Sequence, residues 1–85
     1  MSDPAWRVYV VECADGSLYT GIARDVAARV EQHNEGAGAR YTRSRLPVRL
    51  VHVVPAEDRG AALRREYRIK QMPAAEKRLL IVNSR

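Results

Sequence analysis

Two β-rich runs meet across three residues, and that junction constrains the fold more than any other stretch of the chain. Residues 6–13 (WRVYVVEC) and 17–22 (SLYTGI) are dense in β-branched and aromatic types, as strands require, and Ala14-Asp15-Gly16 separates them. The segment reads as a hairpin, and its loop length decides what the hairpin presents. A two-residue Asp-Gly turn pairs residues whose numbers sum to 31 and sends Tyr9 and Tyr19 to opposite faces. A three-residue loop, with Gly16 left-handed in a bulge, gives sums of 30; Tyr9 then faces Gly21, Tyr19 faces Val11, and both tyrosines share one face. The sequence permits either. The second uses Gly16 where a positive φ is needed and is the one favoured.

Beyond the hairpin, Asp25 is placed to cap a helix running to about residue 34, with Val26, Val30 and His33 in one stripe and Arg29 on its edge. Residues 35–47 (EGAGARYTRSRLP) carry two glycines, a proline and no periodicity, and read as a loop. A third strand is expected over 48–54, closed by Pro55. Asp58 caps a second helix over 59–71, whose wheel assigns Ala62, Leu63, Tyr67 and Ile69 to the apolar face and Arg64, Arg65 and Arg68 to the opposite one. Glu66 projects near the middle of that apolar face, where a carboxylate is expensive unless paired, protonated or bound to a metal. Pro73 opens a third helix through about residue 82, with Leu79, Leu80 and Val82 available for burial. The order strand, strand, helix, strand, helix, helix describes an α+β fold: a small three-stranded antiparallel sheet flanked by helices.

Length and composition bound the class. Eighty-five residues suit one domain, spanning 1–85, that buries roughly 60–65% of its unfolded surface. No apolar run approaches the ~20 residues that span a bilayer, and no signal-peptide pattern is visible, so the expectation is a soluble cytoplasmic protein with no membrane partner. One cysteine, Cys13, forbids an internal disulfide, and with two histidines it makes a finger-type zinc site implausible. Cys13 and His52 both read as strand residues without a chemical role.

The net charge is +5, and thirteen of the fifteen basic residues are arginine, the residue suited to bidentate phosphate contacts. Residues 1–35 are net negative, whereas 36–56 hold four arginines and no acid, and 59–70 hold five bases against Glu66 alone. This asymmetry points to a polyanionic partner, although an arginine-rich composition explains the count equally well.

Arg7-Val8-Tyr9, followed ten residues later by Tyr19-Thr20-Gly21 and then by Arg29, His33 and Glu66 in order, resembles the GIY-YIG nuclease family, in particular its small stand-alone bacterial members. Arg7 stands where the eponymous glycine would be, and Thr20 replaces the isoleucine. The resemblance runs from Val8 to about Asn83, which matches a downstream asparagine loosely, and Gly21 and Asn83 enter as supporting residues. It implies a metal-dependent DNA endonuclease using Mg²⁺ or Mn²⁺, acting in repair or recombination on branched or damaged DNA, with a protein partner for targeting as a further expectation. The implied catalytic set is Tyr9, Tyr19, Arg29, His33 and Glu66.

Those residue types suit phosphodiester hydrolysis, which needs charge neutralisation and an in-line water more than covalent chemistry. Glu66 is a hard oxygen ligand for a hydrated divalent ion. Arg29 can donate two hydrogen bonds to non-bridging oxygens. Tyr19 is the favoured activator of the attacking water, with Tyr9 orienting water or phosphate and His33 relaying a proton. Arg40, Tyr41, Arg43, Arg45 and Arg49 could clamp the DNA backbone, Tyr41 by stacking on an unpaired base; Arg64, Arg65 and Arg68 extend that surface or merely solubilise the helix. The competing reading makes both tyrosines ordinary strand aromatics, His33 a core-edge histidine, and Arg29 and Glu66 a structural ion pair. Between the two stands a non-catalytic or partner-dependent nucleic-acid-binding module on the same scaffold.

Overall fold

The hairpin forms with the three-residue loop. In the computed structural model, which describes residues 6–83, strand β1 (Trp6–Glu12) pairs antiparallel with β2 (Leu18–Ala23), setting Tyr9 opposite Gly21 and Val11 opposite Tyr19. Of the single domain expected over 1–85, residues 1–5 and 84–85 lie outside the described residues. Gly16 takes a φ of 86°, open to a residue without a Cβ, and its N–H bonds the Cys13 carbonyl at 2.9 Å. The Asp15 carboxylate accepts from the Ser17 N–H and hydroxyl, so the loop is held by its own residues.

Strand β3 (Arg49–Ala56) pairs antiparallel with the other side of β1, giving the sheet order β2-β1-β3. It runs two residues past the expected end: Pro55 lies within it, opposite Arg7. An edge strand tolerates proline because its outer N–H positions need no partner. As the middle strand, β1 is covered on both faces, and Val8, Tyr9, Val10 and Val11 are all buried.

Asp25 caps α1 (Val26–Asn34) by accepting from the Ala28 N–H at 3.0 Å, and the helix buries Val26 and His33 as the spacing predicts. The segment expected to be wholly loop contains a single helical turn, α2 (Arg40–Arg43), that buries Thr42. The side chain of Asn34 closes this segment: its Nδ2 donates to the Val48 carbonyl at 3.0 Å and its Oδ1 accepts from the Val48 N–H at 2.7 Å. That two-point clasp satisfies backbone groups which a loop would otherwise leave to water.

Asp58 caps α3 (Arg59–Gln71) through the Ala61 N–H. Ala62 and Ile69 are buried against Val8 and Val10, joined by Ile81 of α4 (Ala74–Asn83). Burying an isoleucine or valine side chain contributes about 1.5–3 kcal/mol, so this layer is a principal source of stability. Leu63 and Tyr67, which the wheel assigned to the apolar face, are exposed, as are Leu79 and Val82 of α4. At about 100° per residue Tyr67 points about 140° away from Ala62, and a three-stranded sheet is too narrow to cover so wide an arc of helix. Among the described residues no helix is long and apolar enough to cross a membrane.

Candidate active site

The opposite face of the sheet carries the polar cluster. Tyr9 projects from β1 across the backbone of Gly21: a Cβ at that glycine would lie 2.6 Å from the Tyr9 hydroxyl oxygen and 2.7 Å from Cζ. A side chain there would evict the phenol, which ties the glycine of the second tripeptide to the tyrosine of the first. The Tyr9 hydroxyl lies 2.9 Å from His33 Nε2, and His33 Nδ1 lies 2.8 Å from the Thr42 hydroxyl. Thr42 in turn donates to the Ala39 carbonyl at 2.9 Å. Tyr19 meets the His33 ring in a T-shaped contact, at 5.4 Å between centroids.

Charge completes the site. Burial pushes the Tyr9 hydroxyl above its ordinary pKa; the Arg29 guanidinium beside it pulls the other way, while Tyr19 and the Glu66 carboxylate add to the rise. Burial, and then the Arg29 charge, hold His33 below its ordinary pKa, so the imidazole is neutral at pH 7. Glu66 sits on α3 in line with Ala62 and Ile69, its side chain 18% exposed, and pairs with Lys70 at 3.3 Å. The Lys70 ammonium also lies 5.9 Å from the Tyr19 ring. The structural alternative of an Arg29–Glu66 pair is not what forms: the Arg29 Nη1 donates to Gln32 Oε1 at 3.0 Å.

The clamp residues divide. Tyr41 stacks on Tyr19 at 6.0 Å and carries the Arg45 guanidinium on its ring at 3.9 Å, so its ring already has two partners within the protein. Arg45 is further held by Asp15 at 3.0 Å and by the Tyr41 carbonyl. Arg40 and Arg43 are exposed. Arg49 pairs with Glu12 at 2.7 Å on the side of the sheet that bears α4, where Arg78 also reaches Glu12, so it is not brought to the cluster. Asn83 ends α4 in an exposed position and is likewise not brought to it.

Sequence reasoning missed Thr42, Gly38 and Asn34. A Cβ at Gly38 would meet the His33 ring, at 2.7 Å from Cγ, so the loop must be glycine where it crosses the imidazole. A glycine and a threonine in an aperiodic stretch carry no signal of burial; the asparagine at the end of a helix was visible, its clasp on Val48 was not.

The three-stranded antiparallel sheet carries Tyr9 and Tyr19, α1 carries Arg29 and His33, and α3 carries Glu66; comparison with known proteins gives the class as that of GIY-YIG nuclease domains. The GIY-YIG catalytic domain matches residues 5–78, and the chain belongs to that family. It is similar to a UPF0213 protein of Desulfotalea psychrophila, 56% identical over 79 residues that cover 92% of this chain and 72% of the relative. A UPF0213 protein of Halobacterium salinarum is 53% identical over 74 residues, covering 87% of this chain and 96% of its own. Among solved structures, the solution NMR structure of a UPF0213 protein from Bacillus halodurans superposes with a TM-score of 0.59 at 42% identity, covering 91% of this chain and 82% of that one. The family is one of nucleases, and its domains bind DNA.

Proposed function

We propose that the protein is a DNA endonuclease dependent on Mg²⁺ or Mn²⁺, cutting branched or damaged DNA in repair or recombination, with a protein partner delivering the substrate. The observation that carries this reading is the Tyr9 hydroxyl, in contact with His33 Nε2 at 2.9 Å and within the fields of Arg29 and Glu66. An ionised Tyr9 is a poor base here. From an ordinary pKa of ~10, raised further by burial, tyrosinate at pH 7 lies at least about 4 kcal/mol uphill. A relay concerted with attack avoids a free tyrosinate. As the water oxygen bonds to phosphorus its proton passes to the Tyr9 oxygen while the Tyr9 proton passes to neutral His33, leaving imidazolium, and the leaving oxygen departs with the electron pair of its P–O bond. The water-activating role thereby moves from Tyr19 to Tyr9, because it is the Tyr9 hydroxyl that meets His33 Nε2, at 2.9 Å. Arg29 exchanges its exposed contact with Gln32 for two non-bridging phosphate oxygens and stabilises their charge.

Glu66 fits a hydrated divalent ion. Its carboxylate is a hard oxygen ligand, it remains partly exposed, and Lys70 is a half-exposed, displaceable partner. Among the described residues no three ligating side chains converge, which accords with an ion that keeps much of its water and completes its shell on substrate. When bound, the ion supplies Lewis-acid neutralisation of phosphate charge.

The test is a cleavage screen over linear, nicked, flap and junction DNA with Mg²⁺ and Mn²⁺ separately. Glu66→Gln is expected to lower cleavage by about 10²–10³-fold while DNA affinity stays equal or rises. A non-catalytic binding module is the second reading, favoured by the Lys70 pair that already neutralises Glu66. It prevails if the wild type binds DNA and cuts none of these substrates with either metal.

A further inference from the structure

We propose that Thr42 is a positioning residue: it decides which nitrogen of His33 carries the proton, and so fixes the Tyr9 hydroxyl as a donor to the imidazole. The inference rests on the reading of Tyr9 and His33 as the proton-handling pair and adds to it a residue that touches neither substrate nor metal.

A threonine hydroxyl has one hydrogen, and a carbonyl only accepts. The Thr42 hydroxyl lies 2.9 Å from the Ala39 carbonyl oxygen, which also accepts from the Thr42 and Arg43 N–H groups at 3.2 and 3.3 Å; two oxygens that close need a hydrogen between them, and only the hydroxyl has one to give. His33 Nδ1, 2.8 Å from the same hydroxyl oxygen, must then be the donor in that bond. A neutral imidazole has a single N–H, which leaves Nε2 with a lone pair. The bond of 2.9 Å between Nε2 and the Tyr9 oxygen therefore carries the Tyr9 proton. Every bond in the series Tyr9, His33, Thr42, Ala39 acquires one direction, and it ends on a backbone carbonyl that cannot reverse it.

The surroundings protect that order. His33 and Thr42 are both fully buried, so water does not compete for either nitrogen. Gly38 leaves the space in which the loop lies against the imidazole, and α2 is the turn that brings Thr42 onto Nδ1. The groups that bear on His33 electrostatically or by ring contact are Arg29 from its own helix, Tyr9 from β1 and Tyr19 from β2; Lys70, paired with Glu66 on α3, adjoins Tyr19. None of these offers Nδ1 an acceptor. With the opposite tautomer Nε2 would donate to Tyr9, and the imidazole could take no proton from it.

The experiment compares wild type, Thr42→Val and Thr42→Ser by two-bond ¹H–¹⁵N correlation of the His33 ring in the free protein, and by the pH dependence of kcat on whichever DNA the wild type cuts. Wild type and Thr42→Ser are expected to hold the proton on Nδ1. Thr42→Val is expected to populate the Nε2–H form, to lose kcat by on the order of 10–100-fold, as removal of an orienting partner does, and to shift its acidic limb to lower pH, because imidazolium is deprived of an acceptor. Thr42→Ser is expected to restore both. An Nε2–H imidazole in the wild type overturns the proposal whether or not Thr42→Val folds, as does a Thr42→Val protein with wild-type tautomer and rate. A wild type that holds Nδ1–H yet cuts nothing sinks the nuclease reading and leaves the assignment of Thr42 standing.

Discussion

Alternate residues of β1 build two unlike interiors. On one side Val8 and Val10 pack against Ala62, Ile69 and Ile81. On the other Tyr9 packs with Val11, Val26 and Val48 but ends on His33, and behind it on Thr42. The first interior gains its stability chiefly from apolar area removed from water; the second buries a series of hydroxyls joined through an imidazole, which is tolerable only because each is hydrogen-bonded. The difference teaches that burial depth alone does not separate core from site in a chain this small. What separates them is whether the buried atoms have directions to keep.

The sharpest way to break this comparison is a crossed pair of substitutions. Tyr9→Phe is expected to cut kcat by about 10²–10⁴-fold, the range for a missing proton-transfer group. It is expected to cost about 1–3 kcal/mol in stability, because His33 Nε2 loses its partner, so the rate and not the stability separates the two variants. Ile69→Ala is expected to cost about 2–5 kcal/mol in chemical denaturation and to leave kcat near wild type where the protein is folded. If Tyr9→Phe keeps its rate, or Ile69→Ala loses its rate while folded, the two interiors are not functionally distinct.

Acid sharpens the comparison, because each side buries one histidine. His33 and His52 are both held below their ordinary pKa, chiefly by burial, with Arg29 and Arg65 adding to the effect. The unfolded chain, with a histidine pKa near ~6.5, takes up protons before the folded one does, so stability is fully present above that pH and falls as the pH drops below it. Denaturant midpoints at pH 7, 6 and 5 should decline in that order, in a range where ordinary carboxylates do not yet titrate. A flat or rising series would mean the histidines are not shifted as described.

The smallest expected effects lie outside both interiors. Arg40→Ala and Arg43→Ala remove exposed arginines next to the site, and each should weaken DNA binding modestly. The slope of log K against log salt should flatten by about 0.9 for each phosphate no longer neutralised. Arg49→Ala should do less, because Arg49 is drawn to Glu12 on the other side of the sheet. Binding measured at several salt concentrations separates these cases.

Much of the frame was legible in the residues. The three-residue loop, the caps at Asp25 and Asp58, and the stripe of Val26 and His33 follow from local rules that need no distant partner. The five residues of the candidate site were legible as an ordered set through the family resemblance. Exposure was harder to read: Leu63 and Tyr67 have core composition, yet the sheet beneath α3 is too narrow to cover them. The competing Arg29–Glu66 pair does not form, and the partner Glu66 takes is Lys70, one turn on along the same helix.

By itself the sequence determined the alternation of β1 and the helix starts and narrowed the hairpin to two registers, because period, turn chemistry and caps act within a few residues along the chain; the fold selected the register with both tyrosines on one face. Tertiary structure alone decided that an aperiodic stretch would coil into α2, clasp onto Asn34 through Val48, and set the Thr42 hydroxyl against His33. Hydrogen bonds between groups nine and twenty-four residues apart depend on where the backbone has already been carried, and their directions depend on which partner is left to accept.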